Sequence, residues 1–214
     1  NNIESTEEVI RLSPDYFKIV VSGSSVANSS LTSTPINIQA GGKFTVTNTG
    51  VFKHNNVNGF SGATNTTIST TNNPAIDLQD GSTIEYYRND GLTQNISKAV
   101  NVGQGTTGNY YSLKISGSGD KIAPSSTLDI KGNLTKSGAS TFLHNLGTVS
   151  FTGATLQNYI VESPSSIMEF NNLTNKNNVS LDVKSDMAIS TKLQLEKPSK
   201  ISIRGASNII LKSR

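Results

Sequence analysis

Three short phrases occur twice along this chain, in the same order. The first set is Gly81-Ser-Thr-Ile-Glu-Tyr86, Tyr110-Tyr-Ser-Leu-Lys-Ile115 and Leu128-Asp-Ile-Lys-Gly-Asn-Leu-Thr135. The second is Gly147-Thr-Val-Ser-Phe151, Phe170-Asn-Asn-Leu-Thr-Asn175 and Met187-Ala-Ile-Ser-Thr-Lys-Leu-Gln-Leu195. The match sets Ile84 against Val149, Leu113 against Leu173, and Leu128, Ile130 and Leu134 against Met187, Ile189 and Leu193, at an offset of about 60–65 residues. That offset exceeds most single solenoid repeats and has room for several coils per unit. An ordered internal repeat predicts a stack in which each unit touches its neighbours, and stacks more often make stalks and surfaces than pockets.

Composition decides between a folded stack and a disordered tract. Hydrophobic residues are 34% and charged residues 15% of the 214, both below the usual share of globular domains. Asn, Ser, Thr and Gly take up the difference. Low hydrophobicity favours disorder when net charge is high, but the formal charge is only +3 and apolar residues alternate with polar ones. Thin β structure with a narrow core is therefore expected. The chain has no cysteine, which excludes disulfides and thiolate metal sites. The Lys residues are scattered, not clustered with aromatics, so no nucleic-acid face is expected. No apolar run approaches the length of a membrane helix. The chain opens on Asn1 without a signal peptide and is expected to be a mature or excised fragment.

A short helix or cap is expected over Ser5–Leu12, ended by Pro14, with residues 1–15 forming an N-terminal cap or flexible start. From Tyr16 the apolar period is two. Ile19 and Val21, Phe44 and Val46, Ile84 and Tyr86, Leu113 and Ile115, Leu128 and Ile130, and Val149 and Phe151 each mark a short half-buried strand. Gly, Asn, Asp and Ser separate them. The expected fold is all-β, a right-handed parallel β-solenoid (β-helix) of short rungs over residues 16–214, with its clearest repeats at 81–135 and 147–195. The alternative is a pair of β-sandwich domains. The solenoid is favoured by the internal repeat, by the scarcity of two-residue hairpin turns, and by the abundance of Asn and small residues, which suit stacked polar side chains and tight corners. Leu113, Ile115, Leu128, Ile130, Leu173, Leu193 and Leu195 are expected to point inward. The least patterned segments, 55–73 and 101–109, are expected to be loops or protruding coils, where specificity tends to sit.

Chemistry is sparse. His54 and His144 stand in polar strand–turn contexts without metal-ligand spacing, and both are expected to be exposed. Asp77, Asp80 and Asp90 either cap turns or form a weak turn-based calcium site. The densest polar–aromatic cluster is Glu85, Tyr86, Tyr87, Arg88 and Asp90. It is either a ligand-binding surface patch with tyrosines as stacking platforms for sugar or a strand carrying an ordinary ion pair. No nucleophile elbow, phosphate loop or paired-carboxylate arrangement accompanies it, so neither catalytic residues, metal nor cofactor are expected.

The phrases Gly81–Tyr86 with Gln94, Tyr110–Gly119 and Gly132-Asn-Leu-Thr135, with second copies at Gly147–Phe151 with Gln157 and at Phe170–Thr174, resemble the repeats of large secreted surface proteins of Bacteroidota, over roughly residues 81–212. Those repeats pair a "GTVxY/F…Q" phrase with "YNLxIxGxG" and "GNLT". The resemblance implies a non-catalytic adhesin, stalk or passenger segment of the gliding and adhesion type, exported by a type IX-like route to the cell surface. Its implied partners are polysaccharide or cell-surface polymers and the secretion machinery of the outer membrane. The C-terminal sorting domain usual in such proteins is not seen in this sequence. A polysaccharide lyase-like β-helix or a carbohydrate-binding module is the alternative on the same architecture.

Overall fold

The computed structural model describes residues 2–5, 16–27, 35–97, 110–162 and 166–212. Among these there is no helix, and every strand pairing is parallel. The chain winds as a β-solenoid. Parallel pairing throughout excludes the sandwich pair, whose sheets are antiparallel. The expected helix over Ser5–Leu12 lies almost entirely outside the described residues; its first residue ends the strand Asn2–Ser5, which pairs in parallel with Tyr16–Val21.

One long face carries eight strands in sequence order: Ser24–Ala27, Val51–His54, Thr83–Tyr86, Ser112–Ile115, Leu134–Lys136, Gln157–Val161, Leu181–Val183 and Ile201–Ile203. Eight rungs make seven coils. On this face a coil takes from 20 residues (Leu181 to Ile201) to 32 (Val51 to Thr83). A second face precedes all the long-face strands but Ser112–Ile115, before which only the bridge of Tyr110 to Ile130 is formed. It holds Asn2–Ser5, Tyr16–Val21, Ile38–Val46 and Ala75–Leu78, then Thr127–Ile130, Thr148–Phe151, Met168–Asn175, Met187–Leu195 and Ile209–Leu211. A third, short face holds Gln94–Asn95, Asp120–Ile122 and Thr141–Leu143.

Alternation explains the core. In the long face Phe52, Ile84, Leu113, Leu134, Tyr159 and Val183 lie in one register and are all buried. Each fills the space between its neighbours above and below, since a strand's alternate side chains share one face. Of the residues expected inward, Leu113, Ile115, Leu128, Ile130 and Leu173 are buried and Leu193 is half-buried. Leu195 is a correction: it closes the strand Met187–Leu195 and is 47% exposed. The segment 55–73 is folded back on the core: Phe60 and Ile68 are buried, Phe60 packs edge-on against Phe44 and Phe52, and Ile68 bridges Ile36.

The 60–65-residue match does not join equivalent positions. Ile84 and Leu113 lie on the long face, whereas Val149 and Leu173 lie on the second. The structural unit is the coil of 20–32 residues, and the recurring phrases describe something smaller than a coil. In both copies a glycine opens the phrase where backbone passes close: a Cβ on Gly81 would lie 2.2 Å from the Asn48 carbonyl, and one on Gly147 would lie 2.1 Å from that of Pro124. A strand follows, then a buried glutamine. Gln94 accepts from the Arg88 N–H (3.2 Å) and donates to the carbonyls of His54 (3.1 Å) and Asn56 (3.2 Å). Gln157 accepts from the Gly153 N–H (3.0 Å) and donates to Ile130 (2.9 Å) and Gly132 (2.7 Å). In each case the amide staples its own corner to the corner one coil below. The phrase is a corner–strand–corner device, usable at whichever face the winding brings round.

Candidate functional site

The cluster 85–90 straddles a corner, and alternation divides it. Glu85 points outward from the long face, where Ser116 Oγ donates to it at 2.6 Å and Lys53 Nζ lies 3.7 Å away. Tyr86 points inward and is wholly buried. Its hydroxyl meets the Tyr110 hydroxyl at 2.6 Å and accepts from the N–H groups of Ser97 (3.1 Å) and Phe60 (3.4 Å). Burial raises the Tyr86 phenol pKa, with those hydrogen bonds opposing, and raises that of Tyr110 further. Tyr87 is half-buried, its phenol pushed up by desolvation and then by the Glu85 charge.

Arg88 is buried at the corner. Its Nε and Nη2 grip Asp90 at 2.8 and 2.6 Å and its Nη1 reaches the Asn55 carbonyl at 3.3 Å. Slight desolvation pushes the Asp90 carboxyl up, but the Arg88 hydrogen bonds outweigh it and hold the group below the usual carboxylate range. Arg88 is thus a corner brace. Of the five residues, Asp90 is exposed and Tyr87 half-buried, while Glu85, though outward-facing, is buried beneath Lys53 and Ser116. Asp77 pairs with Lys43 at 2.8 Å and Asp90 with Arg88. No three acidic or histidine side chains group together among the described residues.

His54 corrects the expectation of an exposed pair. It ends the strand Val51–His54 pointing inward, fully buried, where its ring and that of Tyr86 meet in a T-shaped contact with centroids 4.2 Å apart. Its Nδ1 lies 3.0 Å from Thr67 Oγ1. His144 is half-buried in a corner, where its Nδ1 accepts from the Leu146 N–H at 3.0 Å. Both follow an inward phenylalanine by two residues, Phe52 and Phe142, so what distinguishes them is strand length: Val51–His54 still includes its histidine, whereas Thr141–Leu143 ends before it.

Outward residues of the long face build a polar surface feature. Val51 and Lys53, Thr83 and Glu85, Ser112 and Lys114, Asn133 and Thr135, and Glu162 line a shallow trough of about 360 Å3. They come from five successive rungs, so at about 4.8 Å per step the trough runs about 19 Å along the stack. Lys53, Glu85, Lys114 and Thr135 stand in one register, giving alternating charge followed by a hydroxyl. Lys114 and Glu162 approach to 3.9 Å across it. Beside this row Asn158 stacks on Asn133, donating both its backbone N–H (2.8 Å) and its side-chain amide (3.0 Å) to Asn133 Oδ1. Sequence reasoning singled out Glu85 but not its neighbours, because the register that lines them up joins residues 20–32 positions apart. The trough can offer hydrogen bonds and weak paired charges to an elongated polar ligand; it assembles no nucleophile–base pair. Compared with known protein families, curated proteins and solved structures, the chain finds no match.

Proposed function

We propose that this chain is a non-catalytic segment of a secreted bacterial surface protein, a stalk or adhesin exported by a type IX-like route, whose long face contacts polysaccharide or other cell-surface polymers. The observation that carries this reading is the polar trough crossing five rungs of an unbroken parallel face. A polymer laid along the stack meets polar groups on successive rungs, and many weak contacts sum to useful affinity. The resemblance of the corner phrases to Bacteroidota surface repeats supports the location.

The test is binding of the whole chain to a glycan array and to immobilised polysaccharides, alongside Lys114→Ala and Glu162→Ala. Retention by at least one polymer, weakened several-fold in both variants, supports an adhesive trough. No retention by any polymer leaves a spacer and ends the adhesive reading. Release of reducing or unsaturated ends replaces it with a carbohydrate-active β-helix.

A further inference from the structure

Among the described residues of the core, His54 has an environment found nowhere else in the stack. Its ring is enclosed by Phe52, Phe60 and Tyr86, at centroid distances of 6.4, 5.8 and 4.2 Å. Nδ1 is engaged by Thr67 Oγ1, which also lies 3.2 Å from the Gly59 carbonyl. Nε2 is buried with no hydrogen-bond partner. A neutral imidazole tolerates that arrangement when Nδ1 carries the proton and donates to Thr67, for Nε2 is then an unpaired acceptor. A second proton at Nε2 makes a buried N–H with no acceptor and a buried charge with no counter-ion, the costlier state by far.

The surroundings offer that charge no compensation. On its own strand, Lys53 points outward to Glu85. From Thr83–Tyr86 comes the neutral phenol of Tyr86, already bound to Tyr110. From the segment 55–69 come Phe60 and Thr67. From the third face comes Lys121, whose ammonium sits on the carbonyls of Arg88 (2.9 Å) and Ser118 (2.7 Å). Arg88 is another cation, and the nearby carboxylate of Asp90 is committed to it. In the later coils, the long-face positions in register with His54 and Tyr86 are Ile115, Lys136 and Val161, none of them a histidine or a carboxylate.

We propose that His54 is an acid-sensitive latch built into the first half of the stack: its protonation opens the coils around Val51–His54 and Thr83–Tyr86 while the later coils stay wound. Burial, then Lys121, holds its folded pKa at about 3, against 6.5 in an open chain. The unfolded state therefore binds the extra proton between these values. The stabilisation is complete above pH 6.5 and drains as pH falls towards 3. Coils in a solenoid contact mainly their neighbours, so opening stays local.

The test is amide hydrogen exchange on the full chain at pH 7.5 and pH 5, corrected for intrinsic exchange. Peptides covering 51–60 and 83–97 are expected to lose protection at least about tenfold more than those covering 157–183. In His54→Gln, which keeps a neutral group for Thr67, the acid midpoint is expected to fall by about one pH unit or more. An unchanged midpoint, or opening that begins at 157–183, overturns the latch. If His54→Gln does not fold, ring titration of the native protein by NMR decides: an apparent His54 pKa below about 5 supports the latch and one above it overturns it.

Discussion

At the scale of single residues, the chain's polar content is structural material. Gln94 and Gln157 each satisfy two carbonyls and one N–H at a buried corner. Replacing Gln157 by Leu leaves those backbone groups unpaired. It is expected to cost about 3 kcal/mol, read as a lower urea midpoint with unchanged slope. Gln157→Glu tests the same device with a charge. It replaces the donating amide by a buried carboxylate facing two carbonyls, and destabilises more at pH 8 than at pH 5. Lys121 gives a signed pH effect. Burial and then Arg88 push its amine down to about 8 from 10.5. The folded state thus sheds this proton before the unfolded state does, and the Lys121 contribution to stability rises from pH 8 towards 10.5. Denaturation at pH 7.5 and pH 9.5 is expected to show that gain in the native chain and to lose it in Lys121→Met.

At the scale of the element, short strands succeed because each is one rung of a ladder. Leu134 lies between Leu113 and Tyr159 in the long face and is buried. Leu134→Ala opens a cavity with neighbours above and below and is expected to cost about 2–5 kcal/mol. Leu195→Ala, at an exposed strand end, is expected to cost under about 1 kcal/mol. Thermal melts of the two variants rank them. The strands themselves were legible: alternation at Ile84 and Tyr86, at Leu113 and Ile115, and at Leu128 and Ile130 announces one buried side, and all six are buried. The recurring phrases were legible as well, but not their meaning. Ile84 and Val149 look equivalent because each follows a close-packed glycine and precedes a corner glutamine. Which face a corner opens onto depends on how many residues the intervening coils consume, and no local pattern records that. His54 was misjudged for a related reason. Its polar neighbours suggested the surface, whereas its parity with Phe52 within the strand Val51–His54 sets it inward.

At the scale of the whole molecule, the stack converts sequence-distant residues into a surface. The trough brings Lys53, Glu85, Lys114 and Glu162 together from four rungs, and its contact with a polymer is expected to weaken as salt rises, since Lys53, Lys114 and Glu162 are open to solvent and screened. Binding measured at low and physiological ionic strength checks this. Of the cluster read from the sequence, Glu85 joins the trough, Tyr86 fills the core and Arg88 braces a corner against Asp90. By itself the sequence determined the class of structure: period-two alternation and turn residues commit the chain to short strands with one buried side, and its internal repeat favours the solenoid, because alternation and turn chemistry act over a few residues. Only the tertiary structure decided coil length, the face each phrase occupies, and which side chains meet on the outside. Those follow from register between coils, an interaction between residues 20–32 apart that no stretch of sequence contains.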